Sequence, residues 1–137
     1  MKRLSLSTMI AIGLSAAMAT GAAATEGSGA AKRLCAITST LTCDIADCLV
    51  GPANAVNLPV FIRIDTEQSL IETAMQGGER RSSKITDART EGDSLVLLGG
   101  EQERGWSLVV DQAAGSFTGT IAGRGVGYII FGSCLEL

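Results

Sequence analysis

Three of the four cysteines lie close together in LCAITSTLTCDIADC (34–48), and the fourth, Cys134, lies near the C-terminus. Cysteines at such spacing serve in metal sites, in redox chemistry or in covalent braces. Structural zinc sites use C-x(2–4)-C pairs, often with histidine, whereas this chain has a single C-x4-C pair and no histidine. Thioredoxin-type chemistry uses C-x-x-C, which does not occur here. We therefore expect disulfide bonds, and neither a metal nor another cofactor.

Four cysteines allow three pairings, and the spacing favours Cys43–Cys48 together with Cys35–Cys134. The DIAD stretch between Cys43 and Cys48 suits a four-residue hairpin turn, whose flanking residues lie within disulfide reach. The other bridge would close a loop of about 100 residues, which is the type that restrains an unfolded chain most. The two remaining pairings stay open as alternatives.

The first residues predict export from the cytoplasm. MKRLSLSTMIAIGLSAAMATGAAATEG (1–27) has a basic start, an uncharged apolar run from Leu4 to Ala19, and small residues at Ala22 and Ala24. This order is typical of a secretory signal peptide, and the apolar run is short for the alternative, a transmembrane anchor. We expect a signal peptide at 1–24, a flexible segment at 25–33 and a single domain at 34–137, in the periplasm or secreted.

The charge and hydropathy disfavour several partner classes. The net charge is −3, and loss of the two cations Lys2 and Arg3 with the signal peptide makes it −5. An acidic chain is a poor partner for nucleic acid or anionic lipid. No run of 18 apolar residues follows the signal peptide, so we expect no integral membrane span after cleavage.

The domain shows the alternation of apolar and polar residues that is typical of β-strands. In 34–43 one face carries Cys35, Ile37, Leu41 and Cys43. Similar short segments follow at intervals of about ten to twelve residues, separated by turn residues. About eight strands with short connections predict an all-β fold, an antiparallel meander forming a small closed or nearly closed barrel. Glycines inside the predicted strands are expected at bulges or bends; they are Gly119, Gly127 and Gly132.

Residues 66–76 allow two interpretations. A helix would use Leu70, Ile71 and Ala74 as its apolar stripe and Gly77 as its C-cap. We prefer a strand, because IRIDTEQSLIET (62–73) resembles LVVDQAAGSFTG (108–119). In each stretch, apolar residues are followed by an aspartate, a polar turn and a second apolar segment. This shared order predicts two similar hairpins.

The residue types argue against an enzyme. Without histidine, this chain has no Ser-His, Cys-His or His-metal arrangement. Its glycine-containing stretches match neither the phosphate loop nor the dinucleotide fingerprint. Carboxylate pairs such as Glu101 and Glu103 lie beside turn glycines and are expected to be solvated.

Five residues are candidates for contacts with a partner. Arg80, Arg81 and Lys84 form a basic group in a polar stretch, for which the alternative is a solvated hairpin tip. Trp106 begins a strand with a core pattern, so it is expected in the core, at the barrel mouth or against a ligand. The last strand is apolar on both faces, and its outward residue Phe131 is a candidate contact, including for a homo-oligomer.

The segment WSLVVDQAAGSFTGTIAGRGVGYIIFGSC (106–134) resembles the ending of small exported proteobacterial proteins of unknown function. Like this segment, those proteins have a strand that begins with tryptophan, a turn with aspartate and a closing Phe-Gly-x-Cys. The resemblance implies no activity. The leading hypothesis is a non-enzymatic exported barrel that binds a protein or an envelope component through its loops. The alternative is a carrier of a small apolar ligand in the barrel interior, and an unrecognised hydrolase is a third hypothesis.

Overall fold

A computed structural model of the protein describes residues 31–74 and 79–137. The predicted signal peptide and residues 25–30 of the predicted flexible segment lie outside the described residues. Lys32 and Arg33, which end that segment, instead begin the first strand. The first strand therefore begins before residue 34, because the backbone of Lys32 is already paired with Asp65.

The described residues form nine β-strands and one short 3₁₀ helix. The strands are β1 (Lys32–Cys43), β2 (Cys48–Gly51), β3 (Phe61–Asp65), β4 (Leu70–Ala74), β5 (Arg80–Glu91), β6 (Ser94–Glu101), β7 (Arg104–Asp111), β8 (Ser116–Gly123) and β9 (Val126–Glu136). The 3₁₀ helix, Ala53–Val56, lies between β2 and β3.

Eight of these strands close into a barrel, as the sequence predicts. The order is β1-β3-β4-β5-β6-β7-β8-β9 with antiparallel neighbours, and β9 pairs with β1 to close it. β2 pairs with the C-terminal half of β1 and lies outside this cycle. Both predicted disulfides are confirmed: Cys35–Cys134 joins the first strand to the last, and Cys43–Cys48 closes the hairpin of β1 and β2. Each of the eight barrel strands has a neighbouring strand on both sides; within β5, residues 87–91 pair with β6 alone, because the pairing with β4 ends at Lys84.

The alternation in β1 is interrupted by a bulge that the sequence did not reveal. The pairing of β1 with β9 shifts register between Ile37 and Ser39. One extra residue reverses the faces beyond it, so Thr40 is buried while Leu41 is only partly buried. A second shift lies between Ile85 and Asp87.

Of the three strand glycines predicted at bulges, Gly132 lies opposite one, because it pairs with Ile37, where the register of β1 shifts. A side chain at Gly119 would overlap Leu108 and Ile130, and one at Gly132 would overlap the ring of Phe117. These glycines therefore leave room for large side chains that cross the inner surface of the sheet. Gly119 and Gly127 lie in pairings without a register shift, whereas the second shift, between Ile85 and Asp87, lies opposite Gly99.

The described part of 66–76, residues 66–74, is not helical, and the two aspartate stretches form matching hairpins. Thr66–Ser69 is a turn, and Leu70–Ala74 is β4; residues 75–76 lie outside the described residues. Asp65 Oδ1 accepts the Gln68 N–H at 2.9 Å. Asp111 Oδ1 accepts the N–H groups of Ala113 and Ala114 at 3.0 and 2.8 Å. The similarity between 62–73 and 108–119 thus reflects one turn chemistry, in which aspartate satisfies turn N–H groups.

One end of the barrel is closed by a buried cation. The side chain of Arg33 is 3% exposed. Its Nη2 donates to Gln112 Oε1 at 2.9 Å and to Glu136 Oε1 at 3.1 Å. These bonds compensate the guanidinium for much of its lost hydration. They also connect the start of β1, the turn after β7 and the end of β9, which we call the closed end.

The pKa of Asp65, which lies at the closed end, predicts how the stability of the fold depends on pH. Its pKa lies below the usual 3.8 because the Gln68 N–H donates to the carboxylate; burial opposes this effect, and Lys32, whose Nζ is 3.4 Å away, adds to it. A lowered folded-state pKa stabilises the fold above the unfolded pKa, and the contribution disappears as pH falls through the folded value. Since the chain has no histidine, the melting temperature should stay level between about pH 5 and 8 and fall below about pH 4.

An Asp65→Asn variant tests this assignment. It should melt below the wild type at neutral pH, and the difference should shrink as pH falls below about 4. Asp93→Asn, at an exposed turn position, is the matched control and should show no such convergence. Melting temperatures followed by circular dichroism across pH decide it, and a pH-independent difference for Asp65→Asn would contradict the assignment.

Candidate functional site

The end of the barrel opposite Arg33, which we call the mouth, is open. A cavity of about 230 Å³ extends from it into the interior. The rim includes the loop 56–59 before β3 and the turn between β6 and β7. The floor is aliphatic and is contributed by six strands: Ile37, Ile62, Ile71, Leu108, Ile121 and Ile130.

The interior below this floor is filled. Ile64, Leu97 and Val110 are almost completely buried, and Phe117 lies beside them in the core cluster. Side chains of these residues therefore occupy the interior between the mouth cavity and the closed end, where a separate cavity lies beside Arg33, Thr66 and Gln112.

Trp106 forms one wall of the mouth and is held in place by two neighbouring strands. A side chain at Gly99 on β6 would overlap the indole, so the ring lies across β6. Its Nε1–H reaches β5, where it donates to Ser83 Oγ at 2.8 Å. The indole thus spans three strands, and its orientation is fixed by packing and by this hydrogen bond.

Charged side chains surround the cavity. Arg81 on β5 and Arg104 on β7 line it, with Glu101 on the intervening strand β6. Arg81 has one long ion pair, from Nε to Glu79 Oε1 at 4.0 Å. Arg104 makes no ion pair within the described part of the chain. The mouth therefore presents one cation without a protein partner and one that is weakly engaged.

The structure separates the five contact candidates into two groups. Trp106 and Arg81 both line the mouth cavity. Arg80, Lys84 and Phe131 are exposed on other surfaces. Arg80 and Arg81 are adjacent in sequence, but strand alternation directs their side chains to opposite faces of β5.

Arg104 was not among the candidates from the sequence, and the exposure of the hairpin at 43–51, which we call the arm, was not predicted. Arg104 lies two residues before Trp106, and this spacing within one strand places both side chains on the same face. The two-residue period of a strand was therefore the sequence feature that could have placed Arg104 beside Trp106. The exposure of the arm had no comparable signal, because Leu49 and Val50 look like an ordinary buried strand in the sequence.

The arm, residues 43–51, is a hairpin that extends from β1 beside the mouth. The Cys43–Cys48 disulfide closes it. Asp44 Oδ1 accepts the N–H groups of Ala46 and Asp47 at 2.7 and 2.9 Å, and these bonds lower the pKa of Asp44 below its usual value. The arm is therefore braced both covalently and by its own turn.

The arm carries the most exposed large apolar side chains of the described residues. Ile45 is fully exposed, and Leu49 and Val50 are 73% and 78% exposed. The arm also has an open strand edge, because β2 pairs with β1 alone. Every other strand described has a partner on each side.

The direction of the free backbone groups on β2 follows from its pairing with β1. The Cα atoms of Cys43 and Cys48 are 4.1 Å apart, which identifies a non-hydrogen-bonded pair, since hydrogen-bonded pairs lie about 5.5 Å apart. The pattern repeats every second residue, so Leu41 and Val50 also form a non-hydrogen-bonded pair. The N–H and C=O of Val50 therefore point away from β1, toward the open edge.

The described residues lack the features of two other classes of site, a metal centre and a membrane-spanning helix. No group of three or more cysteine, aspartate or glutamate side chains in the described ranges is arranged to hold a metal ion. None of the helical structure described here is long and apolar enough to cross a bilayer. No protein-family model matches the chain, and comparisons with curated proteins and with solved structures found no match.

Proposed function

We propose that this protein is an exported, non-enzymatic binding protein whose arm adds an extended segment of a partner protein to β2. The observation that carries this proposal is the open edge of β2, which is the only described strand that pairs with a single neighbouring strand. Exposed strand edges are templates for pairing with another chain, and proteins normally shorten, charge or cover them. In strand addition, an extended segment of a partner pairs with such an edge. Main-chain hydrogen bonds then give affinity, and side-chain pockets give specificity.

The side chains of the arm indicate the chemistry of the partner. Leu49 and Val50 lie on opposite faces of β2, so the added segment would have an apolar neighbour on each face. Ile45 would insert into an apolar pocket near the hairpin tip, where Asp44 and Asp47 favour basic residues around that pocket. The brace of the arm supports affinity, because a preorganised loop loses little conformational freedom on binding.

Export is supported by the covalent structure together with the first residues. Both disulfides are formed and no described cysteine is free. Such pairing is typical of the periplasm and the cell exterior, and rare in the cytosol. The N-terminal sequence of 1–24 agrees with this location.

Affinity capture from an envelope extract tests the proposal with a matched pair of variants. Val50→Pro removes the outward N–H, which proline tolerates at a strand edge, whereas Val50→Thr keeps the N–H and the branched shape. A partner of the arm should be recovered with wild type and with Val50→Thr, and lost with Val50→Pro and with Ile45→Asp. Recovery that is equal for all four proteins would overturn the proposal, provided that melting curves show each variant folded.

Light scattering during size-exclusion chromatography identifies whether the partner is a second copy. A dimer that Val50→Pro disperses and Phe131→Ser does not would place that copy on the arm. A dimer dispersed by Phe131→Ser alone would instead locate the contact on the last strand and contradict the role of the arm.

A further inference from the structure

We infer that the mouth cavity is a second binding site, separate from the arm, for a small monocarboxylate with an apolar body. This inference goes beyond the proposed strand addition and does not depend on it. It rests on the size of the cavity, on its aliphatic floor beside a fixed indole, and on the charges around it.

The volume limits the ligand to a small body. An engineered apolar cavity of about 150 Å³ in another protein accommodates benzene, so a cavity of about 230 Å³ accommodates one ring with a short substituent or a short acyl chain. The ligand cannot extend further, because Leu97 and Val110 fill the barrel below. A long-chain lipid is therefore excluded from the interior.

The lining favours an apolar body held against a flat surface. The floor consists of isoleucine and leucine side chains, and Trp106 stands beside it as a wall. The indole is already fixed by Gly99 and Ser83, so a ligand would meet a preformed surface. Preformed apolar pockets with a few polar groups at the rim are characteristic of small-molecule sites.

The charges at the mouth select an acidic headgroup. Arg104 has no ion-pair partner among the described residues, and Arg81 has only the 4.0 Å contact with Glu79. Guanidinium groups form charge-assisted, often bidentate, hydrogen bonds with carboxylates. Glu101 opposes this preference and Glu79 partly neutralises Arg81, so Arg104, unpaired within the described chain, supplies most of the attraction for an anion.

The only tryptophan of the chain provides the readout, since Trp106 lines the cavity. The full chain, purified in oxidised form, is titrated with hexanoate, hexanamide and hexylamine at constant ionic strength, and Trp106 fluorescence is followed. Saturation-transfer NMR of the same probes detects binding that leaves the fluorescence unchanged. Hexanoate should bind about tenfold more tightly than hexanamide, and hexylamine should bind most weakly.

Two arginine variants assign the headgroup site. Arg104→Gln should reduce the preference for hexanoate over hexanamide to about twofold or less. Arg124→Gln is the matched control, because Arg124 is paired with Glu103 and does not line the cavity; it should keep the full preference. A preference for hexylamine, equal loss in both variants, or no saturable response in either measurement would overturn the inference.

The length of the acyl chain tests the size limit. From butyrate to hexanoate, affinity should rise about fourfold per methylene, and it should stop rising once the cavity is full, near octanoate. A gain that continues through dodecanoate, or a series with no gain at all, would contradict binding in this cavity.

Discussion

The Cys35→Ala/Cys134→Ala variant should melt about 10 °C or more below the wild type in non-reducing buffer, because 1 kcal/mol corresponds to about 4–8 °C in a domain near this size. The bridge joins residues 99 apart in sequence, and the chain-entropy relation gives about 4.7 kcal/mol for a loop of about 100 residues. Native disulfides of small secreted domains typically contribute about 2–5 kcal/mol. Total stability is only about 5–15 kcal/mol, so the loss is a large part of it.

The second disulfide provides the matched control. Cys43 and Cys48 are only five residues apart, and the same relation gives about 2 kcal/mol for so short a loop. That bridge lies in the exposed arm, whereas Cys35 and Cys134 are buried where β1 meets β9. Cys43→Ala/Cys48→Ala should therefore lower the melting temperature by less than half as much. Equal shifts in the two variants would show that the terminal bridge is not the main brace of the barrel.

Phe117→Ala should destabilise the protein by about 3–5 kcal/mol, the range for truncating a buried phenylalanine. The side chain is 3% exposed, and its ring lies over Gly132 on β9. Truncation would leave a cavity between β8 and β9 that the closed sheet has little freedom to fill, because every strand around it is paired on both sides. Urea denaturation followed by circular dichroism measures the loss.

Phe131→Ala is the control of the same residue type. Phe131 pairs with Thr118 in the same two strands but points outward and is 43% exposed. Its truncation should cost about 1 kcal/mol or less, since surface substitutions have small effects. A loss as large as that of Phe117→Ala would mean that the outer face of β9 is covered by a second packed layer.

The sequence by itself determined the features that depend on local chemistry. Strand alternation predicted the meander. The spacing of Cys43 and Cys48 predicted a short bridge between them, which left Cys35 and Cys134 to form the long bridge. The shared aspartate turns at Asp65 and Asp111 predicted two similar hairpins, since an aspartate satisfies turn N–H groups within a few residues. Each of these features is decided by contacts between near neighbours or by a period of two along a strand.

The tertiary structure alone decided the features that need residues distant in sequence to meet. The bulge in β1, where the register of β1 with β9 shifts, directs the side chain of Thr40 into the barrel. Gly99 and Gly132 owe their roles to the rings of Trp106 and Phe117, which cross them from neighbouring strands. Arg33 closes one end only because Gln112 and Glu136 converge on it. The mouth cavity depends on how far side chains from six strands reach across the barrel, and no local pattern encodes that sum.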